Sequence, residues 1–167
     1  MAELTQKERL QPSLLDRLTD DEPGQLHESR DKRVLSMHKL RQSVVRDISW
    51  LLNASSLEVV ENLDDYPEVA KSVVNYGIKN LAGSSMSGTN LAAIEKDVKR
   101  AIQQFEPRIL PNTLNIQMTS SDDKMNRLAI VFDIEGNLWA QPLPMHLYLR
   151  TEINKITGDV NLQDLDG

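Results

Sequence analysis

From Leu40 onward the apolar side chains recur at helical spacing. Leu40, Val44, Ile48, Leu51 and Leu52 fall on one stripe, with Arg41, Gln42 and Asp47 off it. The pattern predicts a helix ending near residues 53–56. The stretch "DDYPEVAKSVVNYG" predicts a second, short helix, because Pro67 suits a first helical position and Gly77 the left-handed residue just past the end. Val69, Val73 and Val74 would form its buried side. A third helix is predicted from about Thr89 to Phe105, with Leu91, Ile94, Val98, Ala101, Ile102 and Phe105 on one face, and Pro107 stops it. Beyond Pro111 the period changes to two. Leu114, Ile116 and Met118 alternate with polar residues, as do Leu128, Ile130, Phe132 and Ile134, and Gly136 with Asn137 predicts a hairpin turn. Pro142 and Pro144 break the strand that follows. A further strand is read in Met145, Leu147, Leu149 and Thr151, turning at Thr157 and Gly158 into a short terminal piece.

Helices followed by antiparallel strands predict an α+β fold, with N-terminal helices packed on one face of a small, mainly antiparallel C-terminal sheet. A flexible N-terminal tail precedes it. The tail, residues 1–37, holds one compact apolar cluster, Leu14, Leu15 and Leu18, inside a short amphipathic segment at 12–22. Its remaining polar residues bury too little area to offset their ordering entropy. Residues 38–167 form the α+β domain.

At 167 residues, with 40% hydrophobic and 26% charged side chains, the chain is long enough for one sizeable core. Aromatics are 4%, so aliphatic side chains carry the packing. The net charge of -6 argues against nucleic acid or an acidic membrane as the main partner. Zero cysteines exclude disulfides and thiol chemistry. The absence of a long apolar run and of a basic, apolar leader predicts a cytoplasmic protein without direct membrane insertion.

Most catalytic motifs are missing. "GSSMSGTN" has the glycine gap of a phosphate loop, but Thr89 stands where the lysine is needed, so Ser87 or Thr89 is expected to cap the following helix instead. His27, His38 and His146 are scattered, with neither a metal-ligand spacing nor a serine triad partner, so no metal or cofactor is expected. Glu106 in "QQFEPRILPN" is the one candidate for hydrolytic chemistry. A glycosidase needs a second carboxylate about 5 to 9.5 Å away. Asp97 lies about 13 Å back along the helix axis, which leaves Asp133 and Glu135. Arg108 opposes a general acid role, since a nearby guanidinium keeps a carboxyl ionised. The alternative is a rigid charged corner, Glu106, Pro107 and Arg108, in which the guanidinium fork grips a partner carboxylate or pairs within the fold.

"RLQPSLLDRLTDDEP" at 9–23, "YPEVAKSVVNYGIKNLAG" at 66–83, "FEPRILP" at 105–111, and "LWAQPLP" with "LYLRTEI" at 138–153 together resemble TssE, the small baseplate component of bacterial type VI secretion systems. That family is similar to a phage tail baseplate wedge protein once labelled a lysozyme. The resemblance implies a non-enzymatic structural protein that sits in the wedge with TssF, TssG and TssK and helps the TssB and TssC sheath to start. It implies two partner-binding segments. One is Glu106, Pro107 and Arg108; the other is Pro12, Leu14, Leu15, Asp16, Arg17 and Leu18. A peptidoglycan hydrolase using Glu106 is the rival expectation.

Overall fold

The long helix α2 (Met37–Asn53) buries Leu40, Val44, Ile48, Leu51 and Leu52, the stripe expected from its periodicity. The computed structural model describes residues 13–19, 23–24, 37–79, 91–119, 129–140, 144–154 and 156–166. Ahead of α2 lies α1 (Leu14–Leu18), a single turn whose N-cap Ser13 accepts from the Asp16 amide and donates its hydroxyl to the Asp16 carboxylate at 2.6 Å. α4 (Leu91–Phe105) buries Ile94, Val98, Ala101 and Ile102. The loop 83–90, with its expected caps, lies outside the described residues, as do Pro12 and Pro142.

The short second helix differs from expectation. Residues 57–77 hold the four-residue α3 (Pro67–Ala70) between two 3-10 turns, Leu57–Val59 and Val73–Asn75. Pro67 does open α3, and Gly77 does take a positive φ of 124°. Val73 and Val74, however, are exposed, because the segment breaks at Ser72, which caps the following turn and rotates both valines outward. The inward position falls to Asn75. Its side-chain carbonyl accepts from the Glu58 amide at 3.0 Å and its NH2 donates to the Ala70 carbonyl at 2.9 Å, so one buried amide ties the two turns and α3 together.

Four antiparallel strands follow in a meander of order β1-β2-β3-β4: β1 (Asn115–Thr119), β2 (Ala129–Leu138), β3 (Met145–Asn154) and β4 (Val160–Asp164). The fold is α+β, as the change of period implies, with α2 packed over β4 and α4 over β1. Alternate residues of β2 and β3, from Ile130 to Leu138 and from Leu147 to Ile153, face this helical layer. The opposite face is polar, with Asp133 bonded to Arg150 and His146 to Glu135.

Gly136 is not a turn. β2 runs through it, Gly136 opposes Leu147, and the strand ends at Leu138. A Cβ at Gly136 would lie 3.1 Å from a methyl of Ile109, so the glycine makes room for the chain leaving α4. That chain then hydrogen-bonds to the end of β2: the Trp139 amide donates to the Arg108 carbonyl at 2.7 Å, and the Leu110 amide donates to the Asn137 carbonyl at 2.8 Å.

Two side chains of α2 join it to the far end of the sheet. Arg41, on the polar side by sequence pattern, is buried, with a bidentate pair to Asp164 and a bond to the His146 carbonyl at 3.1 Å. Asn53 both donates to the Val160 carbonyl and accepts from the Val160 amide, each at 3.0 Å, so its amide acts as one more strand residue beside β4.

Candidate functional site

The end of α4 and the start of the strand-like segment 108–110 are separated by Pro107, which denies the helix another turn and fixes the corner. The corner sets Glu106 inward, only 3% exposed. Arg108 folds back on it. Its Nε donates to Glu106 Oε1 at 2.7 Å and its Nη2 to Glu106 Oε2 at 2.5 Å, while the Arg108 amide adds a bond to Oε1 at 3.1 Å. Both carboxylate oxygens are therefore engaged by a neighbour two residues on.

The same guanidinium reaches α2. Nη2 donates to Asp47 Oδ2 at 2.5 Å and Nη1 to the Ser43 hydroxyl at 3.1 Å, and Ser43 donates to the Leu40 carbonyl. The Arg108 guanidinium is half-buried. Burial alone would lower its pKa, and the Glu106 and Asp47 carboxylates outweigh that and raise it above the ordinary arginine value.

From Asp47 the chain of charges continues to α1. Arg46 Nε donates to Asp47 Oδ1 at 2.9 Å, and Arg46 Nη1 donates to Asp16 Oδ1 at 2.7 Å. Its guanidinium carbon also lies 5.1 Å from the centre of the Trp50 ring, a stacked cation and aromatic pair. Burial acts to raise the Asp16 carboxyl, but the Ser13 hydroxyl and Arg46 prevail and hold it below its usual 3.8. The result is a relay of alternating sign, Glu106, Arg108, Asp47, Arg46 and Asp16, that joins the Glu-Pro-Arg corner to the N-terminal segment across 90 residues of sequence. Tyr76 closes its inner side. Its hydroxyl approaches the Asp47 carbonyl at 3.4 Å, and its ring meets Phe105 edge-on with centroids 5.3 Å apart.

The two segments named from sequence are thus brought to one site. Leu14, Leu15 and Leu18 remain exposed around Asp16, so α1 is tethered by its charge and presents its apolar side chains outward. The mediating residues, Ser43, Arg46 and Asp47, were not singled out by sequence. Their signal was faint: Ser43 and Asp47 are polar, four apart, and border the apolar stripe of α2.

The candidate second carboxylates lie elsewhere. Asp133 and Glu135 are on the opposite face of the sheet, bonded to Arg150 and His146. Asp97 pairs with Lys79 and Arg100. The carboxylate that does approach Glu106 is Asp47, through the single Arg108 nitrogen that sits 2.5 Å from an oxygen of each. The Arg108 guanidinium therefore stands between the two carboxylates. Among the described residues no three acidic, His or Cys side chains are placed to hold a metal, and no helix is long and apolar enough to cross a membrane.

The family model "Baseplate wedge protein gp25" matches residues 38–143. Among curated proteins none matches the chain. Of the solved structures, a protein of Geobacter sulfurreducens provisionally described as a tail lysozyme aligns with 22% identity over 69% of this chain and 90% of its own, at a TM-score of 0.42.

Proposed function

We propose, from the premise that this chain belongs to the gp25 baseplate wedge family, that it is the TssE-type component of a type VI secretion baseplate, a cytoplasmic structural protein without catalytic activity. The family match across residues 38–143 carries the baseplate role. The finer reading, that the chain joins a wedge of TssF, TssG and TssK to the first layer of a TssB and TssC sheath, draws on the resemblance of its four motifs. Leu14, Leu15 and Leu18, with Pro12, Asp16 and Arg17 of the same segment, make its wedge contact, and Glu106, Pro107 and Arg108 act behind them by holding α1 in place through the charge relay. Two observations support this assignment. The charge relay couples the corner to α1, and the α1 leucines lie exposed at its end. The engagement of both Glu106 oxygens by Arg108 favours a structural over a hydrolytic role.

The direct test is co-purification of tagged full-length protein with TssF, TssG and TssK, alongside sheath assembly in cells lacking the native copy. Leu14→Ser/Leu15→Ser/Leu18→Ser is expected to lose both while its melting temperature stays that of the wild type. Unchanged co-purification would remove α1 from the interface. In parallel, purified protein is expected to release no soluble sugar from peptidoglycan between pH 4 and 8. Turnover that disappears in Glu106→Gln would overturn the non-enzymatic assignment.

A further inference from the structure

Residues 57–77, between α2 and α4, expose several large apolar side chains. Val60 and Val73 are 75% and 79% exposed, and Val59, Tyr66 and Val74 are exposed beside them. The valine pairs sit on two turns that pack against each other. The two 3-10 turns and α3 pack on one another, and Asn75 bonds all three together, so the valines at 59–60 and 73–74 are held on a rigid frame. Soluble proteins seldom present a clustered apolar surface without a partner to cover it. Such a frame would also be an odd outcome of packing alone. The valines at 73 and 74 could have turned inward on an uninterrupted helix, and the break at Ser72 keeps them out.

A groove of about 470 Å³ runs between the same segment and α4, and none of the exposed valines lines it. Leu63, Pro67, Ala70, Ala101 and Phe105 supply its apolar lining, and Asp64, Lys79, Asp97 and Arg100 stand among its polar wall residues. Around the valines the charge is one-sided. Residues 57–77 carry five acids, Glu58, Glu61, Asp64, Asp65 and Glu68, against the single base Lys71. Glu58 is already paired with Arg100 at 3.0 Å, while Glu61, Asp64, Asp65 and Glu68 have exposed side chains.

We infer that this acid-rimmed valine surface is a second docking site, which takes another baseplate subunit whose contact face combines apolar side chains with a lysine or arginine rim. It rests on the baseplate assignment and extends it to a surface made by different residues from the Glu-Pro-Arg corner and α1. Burial of the valines supplies the affinity, and the acids select a basic rim and speed the encounter.

The test uses the purified full chain and measures binding, by interferometry, to a purified TssF–TssG–TssK subcomplex and separately to TssB–TssC. Val73→Ser/Val74→Ser removes exposed side chains and is expected to melt with the wild type. It should bind the wedge subcomplex at least tenfold more weakly, with binding to TssB–TssC unchanged. Glu61→Lys/Asp64→Lys/Asp65→Lys should lose affinity similarly, and wild-type affinity should fall as NaCl rises from 50 to 300 mM. Wedge binding within threefold of wild type by both variants would overturn the inference, as would a loss confined to TssB–TssC. Failure of the wild type itself to bind either preparation is a different result, and one that counts against the baseplate assignment as well.

Discussion

Replacing Arg108 by Ala probes the corner most directly, because it removes the guanidinium paired with Glu106 while leaving Pro107 and the backbone in place. Four hydrogen bonds vanish together. Glu106 loses two charged hydrogen bonds, Asp47 loses one, and Ser43 loses a donor. For a pair on the surface the cost would be about 1 kcal/mol or less. Here Glu106 is buried, so its charge is stranded in the interior with only the amide of residue 108 to satisfy it. Breaking one side of a buried pair costs about 3 to 5 kcal/mol, and the partial exposure of Arg108 places this case at the lower end, about 3 kcal/mol. For a chain of this size that corresponds to a fall in melting temperature of about 6 to 12 °C. Urea unfolding followed by circular dichroism measures it. The mechanism also predicts a partial rescue: Arg108→Ala/Glu106→Gln removes the stranded charge and should recover about 1 to 2 kcal/mol. A cost below 1 kcal/mol, or a double variant less stable than Arg108→Ala, would refute the buried-charge reasoning. One practical consequence follows. Because the single variant damages the fold, its failure to assemble would say nothing about the interface, and the exposed leucines of α1 are the sounder probe.

Asp16→Asn should leave the melting temperature within about 2 °C of wild type but release α1, seen as faster amide exchange at residues 14–18. Since the folded-state pKa of Asp16 is depressed, the tether's contribution is present above pH 3.8 and is lost as pH falls through the lower folded value, so exchange in the wild type should accelerate only in that acid range. His146 bonds Asp166 at 2.8 Å and Glu135 at 3.1 Å, in that order of influence, and its pKa is raised above 6.5. Its small stabilising contribution is therefore complete below pH 6.5 and disappears as pH rises through the folded pKa. An NMR titration midpoint at or below 6.5 would contradict that. Gly77→Ala should destabilise by about 2 to 4 kcal/mol, because φ is 124° and the new Cβ would lie 2.4 Å from the Ala54 carbonyl oxygen; a melting temperature equal to wild type would show that the backbone there adjusts freely.

Periodicity alone identified α2, α4 and the alternation of β1 to β3, because each of these elements must bury one continuous apolar face and the repeat of that face is written in consecutive residues. Pro67, Pro107, Gly77 and Gly158 were equally legible, since each imposes a backbone geometry on its own position. What sequence could not decide depends on neighbours far along the chain. Gly136 has the composition of a turn, yet it lies within a strand because Ile109 passes over it. Val73 and Val74 have helical spacing, yet they face outward because Asn75, satisfied by Glu58 and Ala70, takes the interior place. The charges show the same division most clearly. Glu106 and Arg108 are two residues apart and could be read as a pair, whereas Asp47 is 61 residues from Arg108 and Asp164 is 123 from Arg41. A charged side chain carries no periodic mark of its partner. Which opposite charge it meets, and whether water is excluded from the meeting, is settled only when helix and sheet pack against each other.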